Sequence, residues 1–445
     1  MFKAIWLFFY FYFGPNGVEI VIKDKNIEAF LTLLRAGLWE DVNLNLNDNI
    51  NLLETFGTSD QGRANGKVDW EKVYQLATEQ SVLGLVLAGV ERYKKLNLDL
   101  NLDDNIDEKG GDSQLGLRST LRLELPSQML LLQWIGEVQI LEQQNREMNR
   151  FIEGLIQGLR NADIYTLLVK GQGIAQCYER PLWRASGDVD LYLSETNYKR
   201  AQEFLTPKAQ SVDAELHGEQ HIAMHIDQWV VELHGAMPTR LISRIDKGLE
   251  KVQNNLFCGG EVRSWHNGGT VVFLPSPDND VLLVFTHILK HFYRGGIGLR
   301  QICDWCRLLW KYKDSLNYGL LEKRIREMGL MSEWKAFGAL AVEFLGMPVE
   351  AMPMFNDNLN HDLNINDKLR RKAELILEFV METGNFGHNR DSSYYEKRPY
   401  VIRKAISLRQ HTLDGIHHFK VFPLDSLRIW CRMLRSGIKA AFERR

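Results

Sequence analysis

Gly187-Asp188-Val189-Asp190-Leu191-Tyr192-Leu193 reads as a strand that carries two carboxylates two positions apart. Side chains alternate faces along a strand, so Asp188 and Asp190 point to one side while Val189 and Leu191 point to the other, toward a core. Two like charges so close repel each other, and a divalent cation between them removes that cost. Mg²⁺ in phosphoryl chemistry is commonly held by one or two carboxylates together with phosphate oxygens and water.

Upstream, Tyr165-Thr166-Leu167-Leu168-Val169 has the β-branched and aromatic content of a strand, and Gly171 to Cys177 starts a helix. Between them stands Lys170-Gly171-Gln172-Gly173, a strand-to-helix turn of the kind that presents free amides to phosphate, with Lys170 as a point charge. A plain tight turn would look the same. Arg184 precedes the Asp pair, placed to reach a phosphate, to brace the carboxylates, or simply to sit on the surface.

Downstream, Glu195 to Leu205 is a helix capped by Ser194. His221 to Ile226 and Trp229 to His234 form a hairpin turning at Asp227-Gln228, and Thr270 to Leu274 adds a short strand. Glu232 interrupts the apolar run Val230-Val231-Glu232-Leu233, where an acid is costly unless paired, exposed or metal-bound. If its strand lies beside the first, Glu232 completes a three-carboxylate site able to hold two metal ions, one to activate an attacking hydroxyl and one to hold a triphosphate. His234, two residues on, faces the same side.

Other clusters carry less. His217, His221 and His225 are spaced by four, but the hairpin pattern puts His221 and His225 on a strand, so a metal role is not expected of them. Five cysteines form an odd, scattered set unlike a disulfide framework, which points to a reducing cytoplasm. Cys303 and Cys306 share a helix face and are expected to pack in the core.

The flanks read as helical. Ile27 to Leu38 and Val68 to Val90, capped by Asp69, form an N-terminal unit, and Gln128 to Ala162 is one long helix or two abutting ones. Beyond Pro277 helices are expected over Asp278 to Phe292, Leu299 to Tyr312, Leu320 to Met328, Glu333 to Leu345, Lys368 to Thr383 and Leu424 to Arg444. Asn43 to Leu53, Leu96 to Asp107 and Asn356 to Asp367 are rich in Asn, Asp and Leu and read as solvated insertions. The aromatic run Ala4 to Phe13 is shorter than the about 20 apolar residues a spanning helix needs. No transmembrane segment is therefore expected.

A length of 445 residues suggests two or three packed units, and 45% apolar with 25% charged residues is ordinary for a globular protein. A net charge of -3 lacks the basic field that long nucleic acids attract, so a small substrate is favoured.

The pattern Lys170-Gly171, Arg184, Gly187-Asp188-Val189-Asp190-Leu191 and Val231-Glu232-Leu233-His234 resembles the polymerase-beta nucleotidyltransferase superfamily, and within it a bacterial uncharacterised nucleotidyltransferase family. Further likeness lies around Asp69-Trp70 and from His287 to Leu309. The resemblance implies an α+β fold, a small mixed-sheet nucleotidyltransferase core flanked by N-terminal and C-terminal helical units. The sequence itself divides into an apolar segment over 1–25, a helical unit over 26–127, the core over 128–276 and a helical domain over 277–445.

The resemblance also implies that Asp188, Asp190 and Glu232 bind Mg²⁺ or Mn²⁺ and are catalytic. Lys170, Gly171, Gln172, Arg184 and Gly187 would hold a nucleoside triphosphate whose nucleotidyl group passes to a hydroxyl on an unknown acceptor. Two other functions fit the Asp pair: a metal-dependent glycosyltransferase using a nucleotide sugar, and a nucleotide-binding or partner-binding protein without turnover. The first would usually place several strands of nucleotide-binding fold before the motif, where this chain has one.

Overall fold

A computed structural model of the chain describes residues 24–40, 57–58, 68–103, 122–123, 125–213, 220–257, 261–355, 363–387, 389 and 400–443. The apolar run Ala4 to Phe13, the insertion Asn43 to Leu53, His217 and Cys258 lie outside them. The fold is α+β, with a mixed five-stranded sheet and helical flanks.

Helices α1 (Lys25–Leu38), α2 (Trp70–Glu79) and α3 (Leu83–Asp103) form the N-terminal part. The caps follow the sequence: Asp24 accepts from the Asn26 amide and Asp69 from the amides of Glu71 and Lys72. The segment Val68 to Val90 is not one helix, because Ser81 takes a left-handed φ of 55° between α2 and α3. Much of Leu96 to Asp107 is not a loop either, since α3 continues to Asp103. Once a helix has been nucleated, each added residue costs little, and the leucines there are good helix formers. At the third insertion, α12 (Leu363–Thr383) already begins at Leu363.

The 34-residue helix α4 (Gln128–Asn161) is continuous and capped by Ser127. The sheet follows, built from β1 (Leu167–Val169), β2 (Asp188–Tyr192), β3 (Ser211–Val212), β4 (His221–Ile226) and β5 (Trp229–His234) in the order β1-β2-β5-β4-β3. Between β1 and β2 lies the five-residue helix α5 (Gly171–Ala175), and after β2 comes α6 (Glu195–Leu205) with its Ser194 cap. The central pair β2 and β5 is parallel, with Asp188 opposite Val230, Asp190 opposite Glu232 and Tyr192 opposite His234. The remaining pairs are antiparallel.

Alternation sorts the two faces of the sheet. Leu168, Val189, Leu191, Val231, Leu233, Ile222 and Met224 form one core with Met148, Ile152, Ile156 and Leu159 of α4 and Tyr198, Ala201 and Leu205 of α6. On the other face Leu167, Val169 and Tyr192 join a larger apolar core that runs through α1 to α3 and the C-terminal helices. The polar residues of that second face are therefore held between the sheet and those helices.

Among the elements that escape the sequence reading are β3, α7 (Ser243–Phe257), the helix over Tyr400–Val421, and β6 (Val262–Asn267), which pairs with β7 (Thr270–Pro275) in a separate hairpin. The C-terminal helices are α8 (Pro277–Arg294), α9 (Leu299–Tyr312), α10 (Tyr318–Met328), α11 (Met331–Ala339), α12, α13 (Tyr400–Val421) and α14 (Pro423–Glu443). The stretch Glu333 to Leu345 changes winding inside, since α11 is followed by a π-helical turn over Leu340–Phe344. Cys303 and Cys306 are fully buried in the α9 core. No described helix is long and apolar enough to cross a membrane.

Candidate active site

The parallel register puts the three carboxylates together. Asp188 and Asp190 lie on one face of β2, and Glu232 stands beside Asp190 on β5. One ligand oxygen from each lies within 4.8 Å of the others. Lys170 Nζ is 2.8 Å from Asp190 Oδ1, and His234 Nε2 is also 2.8 Å from that oxygen. Glu232 Oε2 is 3.1 Å from His221 Nε2 and 3.4 Å from His234 Nε2.

These contacts divide the acids electrostatically. Burial and the neighbouring Asp190 push the Asp188 carboxyl above its ordinary range. Burial also opposes charge on Asp190, but the Lys170 ammonium and His234 outweigh it and hold the carboxyl below its usual value. Glu232 is half-buried, which opposes its charge, but its bonds to His221 and His234 pull it below the carboxylate range.

The strand-to-helix turn is strained where it meets the site. Lys170 has φ 57° and ψ -147°, a region that residues with a Cβ rarely occupy, and Gly171 follows at φ 40°. Both line the cavity. Gln172 does not: it is buried, and its Nε2 donates to Asn145 Oδ1 at 2.7 Å on α4, away from the carboxylates. Gly187 is exposed at the mouth of β2, and it does not line the cavity either.

Arg184 is not a surface arginine. It is buried and grips Asp304 of α9 through two bonds, Nε to Oδ1 at 3.0 Å and Nη2 to Oδ2 at 2.5 Å. Tyr178 donates to the same Asp304 Oδ1 at 2.8 Å. Asn145 of α4 holds the Leu182 and Arg184 carbonyls, and Arg300 holds the Ala185 carbonyl. The loop that delivers Asp188 is thereby pinned from two helices.

Opposite the carboxylates, the sequence reading missed a basic wall. His287, Lys290, His291 and Arg294 of α8 all line the cavity, together with Arg240 from the loop after β5 and Arg300 from α9. Their spacing of three, four and seven puts the α8 residues on one helix face. That periodicity was legible, but the sequence does not say that the face meets a cavity rather than solvent. Burial and the nearby Lys170 and Arg294 charges lower Lys290 to about 8. Burial with Lys290 and Lys170 lowers His291 to about 3, so it is neutral at pH 7. Burial and Arg240 likewise lower Arg294. The cavity holds about 380 Å³. It has acids on the sheet side and crowded cations on the helix side, which is the polarity expected for a metal-bound polyphosphate.

Residues 66–346 match the model of a family described as an uncharacterised nucleotidyltransferase. The chain belongs to that family. The matched span takes in β2, β5 and the basic wall of α8 and α9. No curated protein matches, and no solved structure does.

Proposed function

We propose that this nucleotidyltransferase moves a nucleoside monophosphate from a nucleoside triphosphate to a hydroxyl of a small molecule or protein, with Mg²⁺ or Mn²⁺ held by Asp188, Asp190 and Glu232. The observation that carries this reading is the parallel register of Asp190 and Glu232, which gathers three carboxylates on one wall of a cavity whose opposite wall is cationic. Three oxygen donors so close suit a hard divalent ion. Bound there, the ion would offset phosphate charge and make the attacking hydroxyl more acidic.

The chain's own residues divide the remaining work. Lys170 balances the carboxylates while no ion is present and is free to turn to phosphate when one binds. Gly171 lets the backbone approach. Lys290, Arg294, Arg240 and Arg300 would take the triphosphate tail and, after transfer, the pyrophosphate. His287 and His291, held neutral by burial and by the cations around them, supply hydrogen bonds without adding charge. Gln172 has its side chain committed to α4, so its part is structural.

A cytoplasmic location and an acceptor smaller than a long nucleic acid are part of the same proposal. Calorimetry should show triphosphate binding that depends on the divalent ion and disappears in Asp188→Ala plus Asp190→Ala; unchanged binding in that variant overturns the reading. Release of pyrophosphate, rather than of a nucleoside diphosphate from a nucleotide sugar, separates nucleotidyl from glycosyl transfer.

A further inference from the structure

The carboxylates do not use up the ligating groups on this face of the sheet. His221 and His234 stand directly opposite each other across β4 and β5, with Glu232 two positions from His234 on the same side. Their rings stack with centroids 4.7 Å apart and planes 16° apart, which directs both Nε2 atoms toward Glu232. The two nitrogens lie 3.1 and 3.4 Å from one oxygen, Glu232 Oε2. All three ligand atoms are within 4.8 Å of one another.

A tetrahedral ion bound at the usual zinc–nitrogen and zinc–oxygen lengths sets its donors roughly 3.3 Å apart. The two nitrogen-to-oxygen distances, 3.1 and 3.4 Å, match that spacing. Two imidazoles and a carboxylate also form a donor set that suits zinc and its first-row neighbours, whereas Mg²⁺ prefers an all-oxygen shell.

We infer that His221, Glu232 and His234 form a second metal position, selective for a divalent first-row transition ion such as Zn²⁺ or Co²⁺, next to the carboxylate position. It takes from the preceding section only that this face of the sheet binds divalent ions. Asp188 belongs to the carboxylate group alone and His221 to the histidine group alone, so the two positions can be tested apart. His225 is on the same strand but exposed, which makes it the control. His234 Nε2 also lies 2.8 Å from Asp190 Oδ1, a contact that an ion on that nitrogen displaces.

The test uses the full chain, stripped of metal by a chelator and titrated with Co²⁺ and then Zn²⁺ without nucleotide. The expected result is one tightly bound Co²⁺ with the visible bands of a nitrogen-ligated, low-coordinate ion, displaced by Zn²⁺. His221→Ala should weaken Zn²⁺ binding about 100-fold, on the order of the losses seen when a metal site is disturbed. His221→Gln should do nearly the same, while His225→Ala and Asp188→Ala should leave the spectrum and affinity unchanged. Circular dichroism of each variant checks folding, which His221 tolerates because its side chain is 35% exposed. An octahedral Co²⁺ spectrum, or Zn²⁺ affinity indifferent to His221, overturns the assignment. Loss of triphosphate binding in Asp188→Ala with the Co²⁺ spectrum intact supports both sites. Absence of nucleotidyl transfer with the spectrum intact removes only the proposed reaction.

Discussion

Lys170 Nζ sits 2.8 Å from Asp190 Oδ1, so one of the three clustered carboxylates is occupied by a cation of the chain itself. The Asp190 side chain is almost fully buried and that of Lys170 is 19% exposed. A buried pair broken on one side typically costs about 3–5 kcal/mol, and the remaining His234 contact should reduce this to about 2–3 kcal/mol here. Lys170→Met should therefore lower the melting temperature of the metal-free protein. Added Mg²⁺ or Mn²⁺ should raise it more in the variant than in the wild type, because the ion no longer displaces an ammonium. Equal rises in differential scanning fluorimetry would refute the exchange.

Lys290 is a lysine crowded by other cations, lowered from 10.5 to about 8. Below pH 8 it is protonated in both the folded and unfolded chain, and the fold carries the full cost of its buried charge. Between about pH 8 and 10.5 only the unfolded chain stays protonated, so stability rises with pH there. Lys290→Met should stabilise the metal-free protein by about 1–2 kcal/mol at pH 7, after discounting for solvent, and by nothing near pH 10.5. The same variant should weaken triphosphate binding by about 10- to 100-fold, in keeping with loss of one charge-assisted contact. Wild-type affinity should fall as the pH passes about 8, and Lys290→Arg should flatten that fall. A pH-independent wild type would contradict it.

Arg184 and Asp304 join the loop before β2 to α9 by a bidentate, buried bond. Asp304→Leu leaves a buried guanidinium without its carboxylate and should cost about 3–5 kcal/mol in urea unfolding. Arg184→Met with Asp304→Leu should recover most of that loss. The double variant should still turn over more slowly, since Asp188 is then held less firmly. A double variant as unstable as Asp304→Leu would show that the pair is not the unit involved.

Glu333 is buried beside Tyr293, and burial with the nearby Asp425 charge raises it from 4.5 to about 7. Below pH 4.5 it is neutral in both states. From 4.5 to 7 only the unfolded chain ionises, so stability is lost as the pH rises, and above 7 the whole cost is present. Glu333→Gln should raise stability by about 1–3 kcal/mol at pH 8 and leave it unchanged at pH 4, as read from paired melting curves. A gain of equal size at both pH values would point to packing instead.

Much of the sheet could be read from local chemistry. Period-two alternation placed Asp188 and Asp190 on one face and Val189 and Leu191 on the other, and the positive φ of 53° at Asp227 fits the hairpin turn read at Asp227-Gln228. The Ser194 cap follows from residue type alone. What failed lacked a strong local pattern. Val262–Asn267 alternates half-buried and exposed residues without an apolar side, and it becomes a strand only through its partner β7. Ile245, Leu249, Val252 and Leu256 do carry a helical spacing, which the sequence reading passed over. The strand pattern of His221 and His225 gives no local reason to expect a metal role, and the neighbours His221 meets in the fold, Glu232 and His234, are reached across the strand pair. The basic face of α8 acquires meaning only from what it packs against.

The carboxylates come from residues 188–232 and the opposing cations mainly from 287–300, each set anchored in a different part of the chain. On the proposed reading neither half alone holds a polyphosphate, so one bound across the cavity would act as a staple between them. Its arrival would slow hydrogen exchange in β2 and in α8 together, although those elements lie almost a hundred residues apart in sequence. The ligand would in effect report that synthesis and assembly of the chain had reached at least α9.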